Sequence, residues 1–282
     1  MKEIFSKKEK YILLTLGFFA VLVCSLAFVS APSGALEIHF LNIGQGDAIF
    51  INTPSKRQVL IDGGRPDSPI LEKISQNMPF YDRDIDLVVA THMDADHMGG
   101  LISVLENFKI GGILVSTTKS NTDLSARFWE LIEEKDVPIY VVRAGDIFVL
   151  DKDVEMLIVS PTEQFIDTSG DNDLSVVVKL TYKDDSFLLT GDIEKHAEYA
   201  LATGNVNLKS DVLKVAHHGS NTSTVQYFLN KVDPDLAVIQ VGENRYGHPH
   251  PAVLERISAA GAKILRNDLN GDISLYSYGD SF

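Results

Sequence analysis

Cysteine is almost missing from this chain: 282 residues contain one, Cys24. A single thiol excludes an intramolecular disulfide and any site built from several thiolates. Val23 precedes it, where a lipoprotein cysteine takes a small residue. Tryptophan is equally scarce, and Trp129 reads as core rather than as a stacking platform. Basic charge is also short, with 25 Lys and Arg against 39 Asp and Glu and a net charge of −14. That balance excludes a broad basic face, the usual footprint of a nucleic-acid binder. A polyanionic substrate would need a local basic patch or bound cations. Internal repeats and low-complexity tracts are absent, which excludes solenoids and disordered linkers.

Long apolar runs are limited to one. Residues 1–10 carry four Lys and two Glu, and residues 11–31 carry no charge. At 1.5 Å per residue such a run spans roughly 30 Å, the hydrocarbon thickness of a bilayer. A basic flank ahead of it orients the N-terminus inward and the remainder outward. The run exceeds the 7–15-residue apolar core of a cleaved leader. The expectation is therefore an uncleaved membrane anchor over residues 1–31, with secretion after cleavage as the alternative.

Residues 32–35 read as a linker and 36–282 as one α/β domain. "LEIHFLNI", "AIFINT" and "RQVLIDGG" read as strands, and "SPILEKISQNM" as a helix. "DLVVATH" is a continuous apolar run, as expected of a strand covered on both faces. A helix is expected to start at His97, and another at an Asp123 cap. Strands crowd between residues 137 and 190, then alternate with helices. The last two, "AKILRND" and "GDISLYSY", are expected to pair as a hairpin about Asn270-Gly271. Hairpins mixed with helices fit two packed sheets flanked by helices.

Chemistry collects at strand ends. "VVATHMDADHMGG" places His92, Asp94, Asp96 and His97 within six residues. Burying such groups costs several kcal/mol unless something compensates. A divalent cation does so, because imidazole nitrogen and carboxylate oxygen are its ligands. Residues 92, 94 and 96 share one side of an extended segment, and Gly99 and Gly100 leave room nearby. Asp62 in "LIDGG", Asp192 in "LLTGD", and His217 and His218 in "AHHGS" also follow apolar strands. Two ions can activate water and clamp a phosphoryl or carbonyl oxygen.

"THMDADHMGG" resembles the T-H-x-H-x-D-H signature of the metallo-β-lactamase superfamily, with Asp94 in place of the second His. With "LNIGQGDA", "LLTGDIE", "VLKVAHHGS" and "RYGHPHP" in the same order, residues 36–279 resemble the hydrolase domain of ComEC-type competence proteins. The resemblance implies a four-layer αββα sandwich and a metal-dependent phosphodiesterase or nuclease. It would act outside the cytoplasm, at the bacterial cell membrane, on DNA or another phosphodiester.

It also implies two divalent ions, Zn²⁺ or Mn²⁺, the oxygen-rich set making Mn²⁺ a rival to zinc. His92, Asp94 and Asp192 would serve one ion, and Asp96, His97 and His217 the other, with Asp192 bridging. Asp62 would stand behind the ligands. The family's next His has no counterpart between residues 150 and 180, where Asn172, Asp173 or Ser175 stands instead.

Asp96 and His248 are the expected catalytic groups, His248 protonating a leaving oxygen. His218, Lys214, Arg245, Tyr246 and Ser175 are expected at the substrate, and Asn172 behind the ligands. One apolar span cannot form a DNA channel, so a separate channel protein is the expected partner. Two other readings fit: a lactone, ester or cyclic-nucleotide hydrolase, and a non-catalytic, metal-stabilised partner of such a channel.

Overall fold

A computed structural model describes residues 6–29, 34–116, 122–163 and 172–280. After helix α1 (Lys7–Val29) the chain forms β1 (Leu36–Phe40), β2 (Ile49–Asn52) and β3 (Gln58–Ile61), then α2 (Ile70–Gln76), β4 (Asp84–Ile85) and β5 (Leu87–Ala90). Next come α3 (Ala95–Asn107), β6 (Lys109–Ile110), β7 (Ile113–Val115), α4 (Asp123–Glu134) and β8 (Ile139–Val141). The second half holds β9 (Ile147–Asp151), β10 (Val154–Ser160), β11 (Val177–Tyr182), β12 (Asp185–Leu189), α5 (Lys195–Thr203) and β13 (Val212–Lys214). It closes with α6 (Gln226–Val232), β14 (Leu236–Ile239), α7 (Pro251–Ala259), β15 (Lys263–Arg266), α8 (Asn267–Asn270) and β16 (Ile273–Ser277).

Two seven-stranded sheets result, ordered β16-β1-β2-β3-β5-β7-β8 and β15-β14-β13-β12-β11-β10-β9. Each starts as an antiparallel meander and continues as parallel strands joined through helices. The period-two alternation of the strands explains the layering. Val89, Phe187, Leu189 and Val212 enter the core between the sheets with Ile38 and Met156. Their neighbours Val88 and Ala90 meet Leu101, Val104 and Phe128 on the outer face of the first sheet. Leu188 and Leu213 meet Phe228, Val253 and Ile257 on that of the second. The layers run helix, sheet, sheet, helix, as expected. Each fully buried side chain of this size contributes roughly 1.5–3 kcal/mol.

Three local expectations are corrected. Strands β15 and β16 do not form a hairpin: β15 lies parallel to β14, whereas β16 crosses to the other sheet and pairs antiparallel with β1. Gly271, with φ 71°, follows the one-turn helix α8 instead of turning a hairpin. Asn267 holds that crossing by donating to the Phe40 and Gly271 carbonyls at 3.0 and 2.7 Å. Helix α4 is capped by Thr122, whose Oγ1 accepts from the Ser125 N–H, and not by Asp123. Helix α3 begins at Ala95 with Asp94 as its cap, so Asp96 and His97 belong to its first turn and the extended geometry stops at residue 94.

Finally, among the described residues no helix is long and apolar enough to cross a membrane. The expected span over 11–31 therefore has no support there. Its far end, residues 30 and 31 with the side chains of 24–29, lies outside the described residues, as do 32 and 33 of the linker.

Candidate metal centre

The strand ends of both sheets meet at one rim, as polar groups do at the carboxyl ends of parallel strands. From the first sheet, β3 delivers Asp62 and β5 delivers Thr91 and His92, while α3 turns Asp96 and His97 inward. From the second, β12 delivers Asp192 and β13 delivers Lys214 and the turn holding His217 and His218. The loop 44–47, between β1 and β2, adds Asp47. Close packing sets these pieces. The Gly63 N–H donates to the His97 carbonyl at 2.7 Å and the Gly100 N–H to the Gly64 carbonyl at 2.8 Å. A Cβ on Gly100 would strike the Gly63 carbonyl, and one on Gly46 the Asp96 carbonyl.

Three imidazoles are held by their Nδ1 atoms. His97 Nδ1 lies 2.8 Å from Asp62 Oδ2, and His218 Nδ1 lies 2.9 Å from the Gln240 carbonyl oxygen. Both partners are acceptors, so each Nδ1 carries the proton. His92 Nδ1 is 3.0 Å from Thr91 Oγ1, whose hydroxyl donates to Asp62 Oδ2 at 2.7 Å. Asp62, buried and at φ 58°, thus sets two rings at once. The Nε2 atoms of His92, His97 and His218 are buried and make no hydrogen bond. Those of His97 and His218 face Asp192 Oδ2 at 3.2 and 3.3 Å, and His218 Nε2 is 3.4 Å from Asp96 Oδ2. His92 Nε2 is 3.7 Å from Asp94 Oδ2. The His92 and His97 ring centroids are 4.1 Å apart, and those of His97 and His218 5.3 Å.

Burial and charge compete here. Burial opposes the cation at His218, but Asp192 and Asp47 outweigh it and push the ring up to about 10. His97 rises for the same reasons, with Asp62 adding to them. At Asp192, burial opposes the anion, yet His218, His97 and Lys214 hold it well below the usual carboxylate range. Asp96 is likewise held low against burial by its contacts with His218 and His97. His92 differs: burial, then the neighbouring His97, lowers it to about 3.

The donor set fits a divalent cation. One such ion supplies the +2 that two ring protons supply to Asp192, Asp47 and Asp96, and the unbonded Nε2 atoms offer it lone pairs. Asp47, His97, Asp192 and His218 each bring one ligand-type atom to within 4.8 Å of the others. Asp47, however, lies on the Nδ1 side of the rings, 3.2 Å from His218 Nδ1 and 3.8 Å from His97 Nδ1, and pairs with Lys214. It supports the ligands from behind, whereas Asp96 and Asp192 share the Nε2 side.

The structure gathers His92, Asp96, His97, Asp192 and Asp62 as expected, with Asp94 at the edge, its side chain 47% exposed. His217 and His218 exchange their expected places. Both have left-handed backbones, φ 50° and 53°, so consecutive side chains fan apart instead of alternating. His218 points inward, while His217 turns toward Glu194 Oε1 at 3.3 Å and the His248 ring at 5.6 Å. Lys214 and Ser175, expected at the substrate, are fully buried. Ser175 Oγ accepts from the Asp192 N–H at 3.2 Å and lies 3.4 Å from His92 Nδ1. Asn172 accepts the Ser175 N–H through its carbonyl.

Arg245 and Tyr246 are exposed on the rim loop, and the Tyr246 ring lies 5.8 Å from His248. Burial and then His217 lower the His248 ring from its ordinary value. Three participants were missed: Asp47, Thr91 and Gln240. Asp47 lies in "GQGDA", where two glycines just ahead of a carboxylate at the start of a strand were the available signal.

The relatives agree with this architecture. ComE operon protein 3 of Bacillus subtilis (strain 168) is 31% identical over 284 residues, covering 95% of this chain and 36% of that protein. Competence protein ComA of Neisseria gonorrhoeae is 29% identical over 247 residues, covering 86% of this chain and 32% of that protein. The chain spans about a third of the length of these curated relatives. Among solved structures, the metallo-beta-lactamase fold protein YhfI from Bacillus subtilis superposes with a TM-score of 0.57 at 9% identity, over 86% of this chain and 99% of that one. At that identity the likeness concerns the fold alone. The family model for the metallo-beta-lactamase superfamily matches residues 41–243, and with its signature residues gathered at the rim of an αββα sandwich the chain belongs to that superfamily.

Proposed function

We propose that this chain is a metal-dependent phosphodiesterase that acts on DNA or another phosphodiester outside the cytoplasm. One observation carries the reading: three buried imidazoles with unbonded Nε2 atoms sit beside the carboxylates of Asp96 and Asp192 where the strand ends of the two sheets meet. His97, His218, Asp96 and Asp192 would hold one ion, and His92 and Asp94 would contribute to a second. When bound, such ions acidify a water and neutralise charge on a phosphoryl oxygen. Asp62 keeps the His97 ring oriented. Asp96, whose side chain is 29% exposed, reaches the rim where substrate arrives. His248 stands neutral near pH 7 because its ring is held below its ordinary value. It serves the leaving oxygen as a hydrogen-bond donor rather than as a stored proton. Arg245 and Tyr246 offer a phosphate contact and a stacking face.

Nucleic acid as substrate, and a separate DNA-uptake channel protein as partner, are supported by the likeness to a competence protein. The extracytoplasmic location rests on the basic flank before the uncharged run in the sequence. The test is cleavage of single-stranded DNA with Mn²⁺ against EDTA, beside Asp96→Ala and Asp192→Ala. Absence of metal-dependent cleavage of any nucleic acid overturns the DNA reading. The net charge of −14 favours a second reading, a small or neutral substrate. Turnover of bis-p-nitrophenyl phosphate or a simple ester, with nucleic acid left intact, would select it.

A further inference from the structure

Lys214 has no task in the reading above. Its side chain is 1% exposed. The ammonium donates to the Gly191 carbonyl at 2.9 Å, pairs with the Asp47 carboxylate, and lies 3.5 Å from Asp192 Oδ1, a buried oxygen that makes no hydrogen bond. The two oxygens of Asp192 therefore face different charges. Oδ2 looks to His97 and His218, and Oδ1 to an ammonium that cannot leave.

Of the two Asp192 oxygens, one therefore already faces a fixed positive charge. The other candidate position has few donors of its own. His92 and Asp94 stand there, and the adjacent Ser175 hydroxyl is occupied by the Asp192 N–H and the His92 ring. We propose that Lys214 is a positioning residue that reserves Asp192 for a single ion, held with Asp96, His97 and His218. A second ion at His92 and Asp94 is then weak and exchangeable. The fixed ammonium also repels that second dication and keeps Asp47 and Asp192 oriented before any ion arrives. This inference rests on the metal-centre reading.

The experiment is a Mn²⁺ titration of the full chain, followed by calorimetry and by electron paramagnetic resonance, which distinguishes free, isolated and coupled Mn²⁺. The wild type should take one ion about 10- to 100-fold more tightly than the next. Lys214→Met combined with Asp47→Asn removes the ion pair as a unit. It should close most of that gap and bring the coupled signal in by two equivalents. Lys214→Gln is the second variant, with far-UV circular dichroism checking the fold of each.

Two equal sites in the wild type overturn the proposal, as does an unchanged gap in a folded variant. If neither variant folds, the wild-type titration decides alone, unequal sites supporting the proposal and equal ones overturning it. If the wild type binds no Mn²⁺ at all, the metal-centre reading fails, and this inference fails only with it.

Discussion

The inner cluster of the site and its outer rim are built on opposite principles. Asp62, His97, Asp192, Lys214 and His218 are almost fully enclosed and held by charged or carbonyl partners. Arg245, Tyr246, His217 and His248 stand on turns at the surface, linked mainly by ring contacts of 5.6 and 5.8 Å. An enclosed polar group is costly unless every partner is present, so the inner set tolerates little. An exposed group contributes only when a ligand arrives. Under the proposed function this contrast is a division of labour, with ion binding assigned to the buried strand ends and substrate choice to the loop.

Substitutions should sharpen that division, and the largest effect falls at its centre. Asp192→Ala removes the carboxylate shared by both inner rings, and metal-dependent cleavage should fall by about 10³-fold or more. Retention of most activity with full Mn²⁺ occupancy would show that the inner cluster is not the reactive site. The adjacent histidines come next. His218→Ala should weaken Mn²⁺ binding about 100-fold, whereas His217→Ala should change it by less than about tenfold. Equal losses measured by calorimetry would erase the boundary between inside and outside. At the rim, Tyr246→Ala should raise KM for single-stranded DNA about tenfold with kcat and Mn²⁺ affinity unchanged.

The last effect falls on stability rather than on activity, in the scaffold behind the histidine turn. Glu198 is fully buried, accepting the Thr224 and Val225 N–H groups at 2.5 and 2.8 Å. Burial outweighs those bonds and pushes its carboxyl up to about 7. The folded protein therefore keeps a proton that the unfolded chain releases from about pH 4.5 upward. This contribution to stability is complete below that pH and is lost as pH rises to about 7, a change on the order of 3 kcal/mol. Glu198→Gln should flatten the corresponding fall in Tm. A fall of the same size in both proteins would assign it to other groups.

Much of this was legible in the residues. The buried strand around Val88 and Val89 announced itself as an unbroken apolar run, and the His92-to-His97 segment as a cluster that only a cation could reconcile. What escaped has local physical causes. The two left-handed residues at 217 and 218 break the alternation from which inward and outward are read. Asn270-Gly271 looked like a hairpin turn because the same dipeptide suits a helix end, and only Asn267 reaching across to Phe40 decides between them. Asp47 carried only its glycine-rich turn as a signal, because its partners, Lys214 and His218, lie well over a hundred residues away.

Asp47, Asp62, His92, Asp96 and His97 come from one sheet's half of the chain, and Asp192, Lys214 and His218 from the other's. A cation seated between them would act as a rivet across the seam. At 100 times its Kd it would add about 2.7 kcal/mol against unfolding, and stripping it with a chelator would let the halves part at a lower temperature. Neither half expressed alone would retain the grip.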